Sequence, residues 1–201
     1  MTEWGDTQSA GYRYYSSSAA RPSVTTYQSL SEGTQGTLQT LGAMRDAVTI
    51  GLPPEYVSYK DGSNAVAAAR ITSYSPDTSK HQLAAAIYQF ARDQVSYIDH
   101  PWNMQVVQDA KRTLQLRTGD CVSKSVLVST LLASLGIKSR FVAQATTIEG
   151  FDHVYVEAQL EDGSWLALDP TADGKDGRPA GHVGWSQRLA DGGFEMAYEI
   201  F

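Results

Sequence analysis

Residues 153–170 read HVYVEAQLEDGSWLALDP, and this stretch decides the fold. Two runs rich in β-branched, aromatic and aliphatic residues flank Glu161-Asp162-Gly163, which is typical of a three-residue hairpin loop. The last loop position requires a left-handed backbone, which Gly163 adopts without strain. The stretch therefore predicts two antiparallel strands in which Leu160 faces Ser164.

This register brings an imidazole and a carboxylate to one face of the hairpin. Counting outward from the loop, Tyr155 faces Asp169, and His153 shares a face with Tyr155. Asp169 is then the diagonal neighbour of His153, at about 7–8 Å between backbones, so the two side chains can meet. A two-residue loop would put Asp169 on the opposite face. Taken singly, a histidine on the solvated side of an edge strand and an aspartate in a turn before Pro170 are ordinary features.

A strongly helical segment precedes these strands. Residues 121–135 have apolar side chains at helical spacing, and Gly136 is the predicted C-cap. Cys121 lies in the first turn, where unpaired N–H groups and the positive helix end favour a thiolate. Lys124 lies on the same face and could add to this effect. The alternative is a lone cysteine that packs as a small hydrophobic residue.

The remaining elements give the fold class. Residues 36–50 place Leu38, Leu41, Met44 and Val48 on one helical face, and residues 80–97 repeat the helical spacing. Residues 65–71 could form a short helix, and residues 139–147 read as a strand. We expect a further strand within residues 192–201. Helices followed by antiparallel strands predict an α+β domain, with a cysteine at a helix N-terminus packed on the sheet.

The N-terminal segment differs in composition from the rest. Residues 1–35 are rich in Ser, Thr, Tyr, Gly and Gln, without lasting periodicity. They read either as a disordered tail or as an extended arm whose aromatic side chains anchor it on its own domain or on a neighbouring chain. The predicted organisation is an arm over residues 1–35, a helical lead-in over 36–77 and the main domain over 78–201.

Composition excludes several classes of function. The net charge of -6 disfavours a nucleic-acid-coating protein. The single cysteine forms no intrachain disulfide. The four histidines are far apart in the sequence, at His81, His100, His153 and His182. We therefore predict no metal site and no cofactor. No run approaches the roughly 20 apolar residues of a membrane span, and the N-terminus shows no signal peptide, which predicts a cytoplasmic protein unless it joins a larger particle.

Three sequence pieces resemble a known family. Gly119-Asp120-Cys121 before an apolar helix, His153 opening a strand, and a strand ending in Asp169-Pro170-Thr171 resemble the transglutaminase-like domain of the papain-like cysteine superfamily. The likeness is closest to small members encoded by phages and prophages. Those carry a Gln and Thr-Leu before the cysteine and a Gly-Trp after the aspartate, here Gln108, Thr113-Leu114 and Gly184-Trp185.

The resemblance implies roles for particular residues. Cys121 would be the nucleophile, His153 the base and Asp169 the residue that orients the base. The Cys121 backbone N–H would form part of an oxyanion hole. Gln108 is the candidate for the second oxyanion donor, and the alternative is that Gln108 is a polar residue on an exposed helix face.

Two functions follow as expectations. The first is a cysteine-dependent acyl-transfer enzyme, a hydrolase of peptide or cell-wall amides or a transamidase working through the same thioester. The second is a structural tail or baseplate component of a phage that keeps the fold without required turnover. In both cases we expect association with a virion, with protein partners bound through residues 1–35.

Overall fold

The computed structural model describes residues 25–29, 33–50, 77–99, 104–144, 152–171 and 195–200. The helices within these ranges are α1 (Gly33–Ile50), α2 (Lys80–Gln94), α3 (Ala110–Leu116) and α4 (Cys121–Ser134). The strands are β1 (Thr25–Ser29), β2 (Ser96–Tyr97), β3 (Met104–Gln108), β4 (Thr118–Gly119), β5 (Ser139–Gln144), β6 (His153–Gln159), β7 (Trp165–Leu168) and β8 (Glu195–Glu199).

An antiparallel sheet in the order β7-β6-β5-β8 carries one wall of the core. Arg140 on β5 lies opposite Glu157 on β6, and their side chains form an ion pair at 2.6 Å. The Arg140 guanidinium also lies 4.2 Å from the centre of the Trp165 ring on β7. These side chains link three strands. They also fix the register, because a slip of one residue would turn them to the other face of the sheet.

Helix α4 forms the centre of the domain. Asp120 caps its N-terminus by accepting a hydrogen bond from the Ser123 N–H at 2.8 Å. Every residue from Val122 to Leu132 is buried, since helices pack around α4 on several sides and β6 covers another. This burial outweighs the modest helix propensity of its valines. The helix ends before Gly136, which has φ +70°, as the predicted C-cap requires.

The predicted α+β class is confirmed, with shorter elements than the sequence suggested. β6 and β7 end at Gln159 and Leu168, just before the loop and just before Asp169. β5 is described as far as Gln144, and residues 145–147 of its predicted range lie outside the described residues. The helix predicted over 80–97 ends at Gln94, and β2 follows. The helix predicted over 36–50 is confirmed, although the Leu38 side chain is 43% exposed. The short helix predicted over 65–71 lies outside the described residues.

One strand comes from the predicted arm. Thr25–Ser29 pairs antiparallel with Met104–Gln108, so the end of the arm belongs to the domain. Residues 1–24 lie outside the described residues. Periodicity did not reveal β1, because a strand whose partner is far away in sequence is stabilised by that partner and not by its own pattern.

Candidate active site

The hairpin register predicted from the sequence is confirmed. Gly163 has φ +83°, and the Leu160 N–H donates to the Ser164 carbonyl at 2.9 Å. Val156 pairs with Leu168, which continues to Tyr155 opposite Asp169. The hairpin thus puts residue 169 on the same face as residue 153, as the three-residue loop required.

His153 and Asp169 are hydrogen-bonded in the interior. His153 Nε2 lies 2.8 Å from Asp169 Oδ2, and the two residues are only 7% and 4% exposed. The alternative of a histidine on a solvated edge strand is wrong, because β6 lies between β5 and β7. A carboxylate can only accept, so Nε2 carries a proton whether or not the ring is charged, and Nδ1 is the basic nitrogen of the neutral form.

The other oxygen of Asp169 is also held. Oδ1 accepts from the Thr171 hydroxyl at 2.6 Å and from the Thr171 N–H at 3.1 Å. Burial by itself raises the pKa of Asp169, but the hydrogen bonds from His153 and Thr171 and the charge of His153 outweigh it and lower the pKa. Asp169 is therefore ionised at neutral pH and can both orient the ring and stabilise an imidazolium.

Cys121 is the first residue of α4, and its thiol lies against the start of β6. The sulfur accepts hydrogen bonds from the backbone N–H groups of Val154 and Val122. Val154 directly follows His153, so Cys121 lies beside the end of the hairpin that carries the His153–Asp169 pair. Cysteine acyl transfer needs a nucleophile, a base and an orienting group, and Cys121, His153 and Asp169 are the candidates for these three roles.

The electrostatics of Cys121 differ from the expected thiolate. Burial raises the pKa of the thiol, the carboxylates of Asp120 and Asp169 raise it further, and the N–H groups of Val154 and Val122 only partly oppose them. The prediction of a thiolate considered only the positive end of the helix. It left out burial and the N-capping carboxylate of Asp120, which both raise the pKa of the thiol. The direction of this pKa shift favours a neutral thiol in the resting protein.

This charge state predicts slow alkylation at neutral pH. Each unit by which the pKa rises lowers the thiolate fraction about tenfold. At pH 8, iodoacetamide should therefore modify Cys121 at about one tenth of the rate of a free cysteine, or less. The rate should keep rising to pH 10. Stopped-time mass spectrometry from pH 6 to 10 measures it. A fast plateau already reached below pH 8 would instead reveal a thiolate–imidazolium pair.

Lys124 is hydrogen-bonded to the turn that follows Asp169. Its side chain is 3% exposed, and Nζ donates to the Pro170 carbonyl at 3.1 Å. The ammonium is thus directed to the turn after Asp169, while the hydrogen bonds to the Cys121 sulfur come from backbone N–H groups.

The two glutamines of β3 are placed differently. Gln108 is a buried strand residue, so the exposed-helix alternative is wrong, and its Oε1 has no hydrogen-bond partner within the described part of the chain. Strand alternation puts Gln105 on the opposite face, where Nε2 donates to Asp120 Oδ2 at 3.2 Å beside Cys121. Gln105 was not predicted as a site residue, because only the strand register shows which face of β3 each glutamine occupies. An oxyanion role for Gln108 stays a prediction.

The turn before Cys121 is closely packed and lies beside an aromatic residue. A Cβ on Gly119 would lie 2.8 Å from the Ser123 Cβ, so glycine is needed for this close approach. Gly119 pairs with Tyr97 on β2. Burial raises the pKa of Tyr97 and the negative charge of a Cys121 thiolate raises it further, which puts the phenol within electrostatic reach of the thiol. Sequence reasoning missed Tyr97, which carries no motif.

An open cavity of about 230 Å³ lies beside these groups. Tyr97, Lys124 and Pro170 contribute to its walls, together with residues at the end of α2. No cluster of three or more metal-ligating side chains occurs among the described residues. None of the described helices is long and apolar enough to cross a membrane.

Comparison with known proteins gives one family match. The model of the Transglutaminase-like superfamily matches residues 66–170, slightly more than half of the 201-residue chain. The match covers the three residues of the candidate triad. No curated protein sequence matches the chain.

Three solved structures are similar in part. A protein described as a putative protease from Parabacteroides distasonis ATCC 8503 is 17% identical over 64% of this chain, with a TM-score of 0.47. One described as a putative cysteine protease from Cytophaga hutchinsonii is 22% identical over 59% of this chain, with a TM-score of 0.41. A structure described as a TGase is 13% identical over 79% of this chain, with a TM-score of 0.40. The matched regions span 25%, 41% and 36% of those three chains.

Proposed function

Since this chain belongs to the transglutaminase-like superfamily, we propose that it is a cysteine-dependent acyl-transfer enzyme that hydrolyses amide bonds. The observation that carries the proposal is the buried His153–Asp169 pair at 2.8 Å, with the Cys121 sulfur hydrogen-bonded to the N–H of the residue after His153. Cys121, His153 and Asp169 are the proposed nucleophile, base and orienting residue.

The proposed reaction has two steps that use the same base. His153 Nδ1 takes the proton from the Cys121 thiol as the sulfur bonds to the amide carbon. The imidazolium then gives that proton to the leaving amine as the C–N bond breaks, which leaves a thioester. Water attacks the thioester with His153 again as base, which releases the acid and restores the thiol.

The neutral resting thiol fits this sequence of proton transfers. Because burial and the carboxylates of Asp120 and Asp169 hold the pKa of Cys121 high, deprotonation is coupled to attack on the substrate. The Asp169 carboxylate stabilises the imidazolium formed at that moment. The Cys121 backbone N–H, at the first turn of α4, is the proposed donor to the developing oxyanion.

The proposed substrates are neutral or basic amides. The net charge of -6 disfavours strongly acidic substrates. The peptide stems and crosslinks of a bacterial wall contain such amide bonds and are one candidate substrate. A peptide segment of a partner protein is a second. Water is the proposed acceptor, although an amine would use the same thioester and give transamidation.

Two parallel assays test the proposal. The protein is incubated with purified wall peptides and, separately, with a glutamine donor plus a primary amine, and the products are identified by mass spectrometry. We expect slow release of amine from the wall peptides and little amine incorporation. Amine incorporation without hydrolysis would assign the chain to transamidation instead.

A second candidate function is structural. The Gln108, Thr113-Leu114 and Gly184-Trp185 pattern resembles small phage and prophage members of the family, and residues 1–35 carry scattered aromatics suited to partner contacts. The proposal is a virion-associated protein, in a tail or baseplate, that binds its neighbours through residues 1–35, apart from the β1 strand that pairs with β3. Particle purification followed by mass spectrometry tests it, and a chain found only as free protein would contradict it.

A further inference from the structure

A lysine is buried one turn after the nucleophile. Lys124 is 3% exposed, in an interior where an ammonium is costly unless its protons are hydrogen-bonded. Its Nζ donates to the Pro170 carbonyl at 3.1 Å. Lys124 extends from α4, the helix that begins at Cys121, and Pro170 follows β7, so this hydrogen bond joins two separate parts of the site.

The turn that Lys124 holds is the one that fixes Asp169. Thr171 binds Asp169 Oδ1 through both its N–H and its hydroxyl, and Asp169 Oδ2 binds His153 Nε2. The Pro170 carbonyl lies between Asp169 and Thr171 in the chain. A hydrogen bond to that carbonyl therefore restrains the peptide units that aim the carboxylate at the imidazole.

We propose that Lys124 is a positioning residue of the triad, which acts through the Asp169–Pro170–Thr171 turn and not directly on the Cys121 thiol. This inference rests on the proposed function for its catalytic meaning. The measurable effect is on the position of the proton in His153. A restrained Asp169 keeps this proton on Nε2, which leaves Nδ1 free to act as the base. A shift of the turn would release that preference.

The first test reads the tautomer of His153 and needs no substrate. Nitrogen NMR on ¹⁵N-histidine-labelled protein distinguishes protonated Nε2 from protonated Nδ1, and His153 is one of only four histidines. We expect Lys124→Met to lower the Nε2-protonated fraction, while Lys138→Met, at an exposed lysine, leaves it unchanged. If Lys124→Met does not fold, Lys124→Gln replaces it. An unchanged tautomer with only a lower melting temperature would overturn the proposal.

The second test separates action through Asp169 from direct action on the thiol. The alkylation rate of Cys121 at pH 9 is measured for wild type, Lys124→Met, Asp169→Ala and the double variant. If Lys124 acts through the turn, its substitution has little further effect once Asp169 is alanine. An equal fold-change in both backgrounds would mean direct electrostatic action on Cys121 and would overturn the proposal.

Turnover gives the catalytic arm of the test. Lys124→Met should lower kcat for amide hydrolysis about 10- to 100-fold with a smaller effect on KM, as expected for lost positioning. If wild type shows no turnover, the proposed function fails while the tautomer and alkylation results still decide the role of Lys124.

Discussion

Replacing Cys121 by alanine should abolish amide hydrolysis, with a fall in kcat of about 10⁴-fold or more. The expected loss is large because no thioester forms without the sulfur, and the residual rate comes from substrate binding and the oxyanion donor alone. The fold should persist, since alanine is a good helix former and the exchange removes one atom at the start of α4. Rates of product formation and far-UV circular dichroism measure the two outcomes.

The matched control lies two positions further along the same helix. Ser123 is buried, and its hydroxyl has no hydrogen-bond partner within the described ranges, so Ser123→Ala removes a group that stabilises nothing there. Its backbone N–H still caps onto Asp120. We expect Ser123→Ala to keep wild-type kcat. Equal activity in Cys121→Ala and wild type would disprove the cysteine mechanism.

Replacing Asp169 by asparagine should lower kcat about 10³- to 10⁴-fold with the fold intact. An amide that presents its NH₂ to His153 Nε2 favours the tautomer with the proton on Nδ1, which removes the base from the side that must accept the thiol proton. The hydrogen bonds from Thr171 to Oδ1 can persist in asparagine. Steady-state kinetics and ¹⁵N-histidine NMR measure the rate and the tautomer together.

The stability difference between wild type and Asp169→Asn should be present at neutral pH and should change with pH only on the acid side. The folded pKa of Asp169 is lowered, so its ionised form contributes stability that is complete above a pH of about 4 and is lost as pH falls through the folded pKa. The difference in unfolding free energy between wild type and Asp169→Asn should therefore shrink between pH 5 and pH 2. Urea titrations across that range measure it, and a difference that grows toward low pH would contradict the assignment.

The hairpin of the site could be predicted from the sequence because its determinants are local. A three-residue loop with Gly163 in the left-handed region fixes the register, and the register decides which side chains meet. The helix beginning at Cys121 was equally visible, since Asp120 and Gly136 mark its two ends.

Non-local features could not be predicted in this way. The target of Lys124, the Pro170 carbonyl, lies 46 positions away, and helix geometry alone suggested Cys121 instead. The high pKa of Cys121 depends on burial by β6 and other elements, which no local pattern reports. The faces of Gln105 and Gln108 followed only from a strand that the sequence did not reveal.

The pairing of β1 with β3 has a consequence for the order in which the molecule assembles. Tyr27 lies opposite Val106, roughly 80 positions away, so this ladder requires the closure of a long loop, whereas β6 and β7 close across three residues. Formation of the β1–β3 ladder should be a late folding event, and the ladder should be among the first parts to open in the native state. Gln105 on β3 donates a hydrogen bond to Asp120, the residue before Cys121. Local opening of the ladder would therefore loosen the turn before Cys121, while the hairpin that carries His153 and Asp169 stays closed.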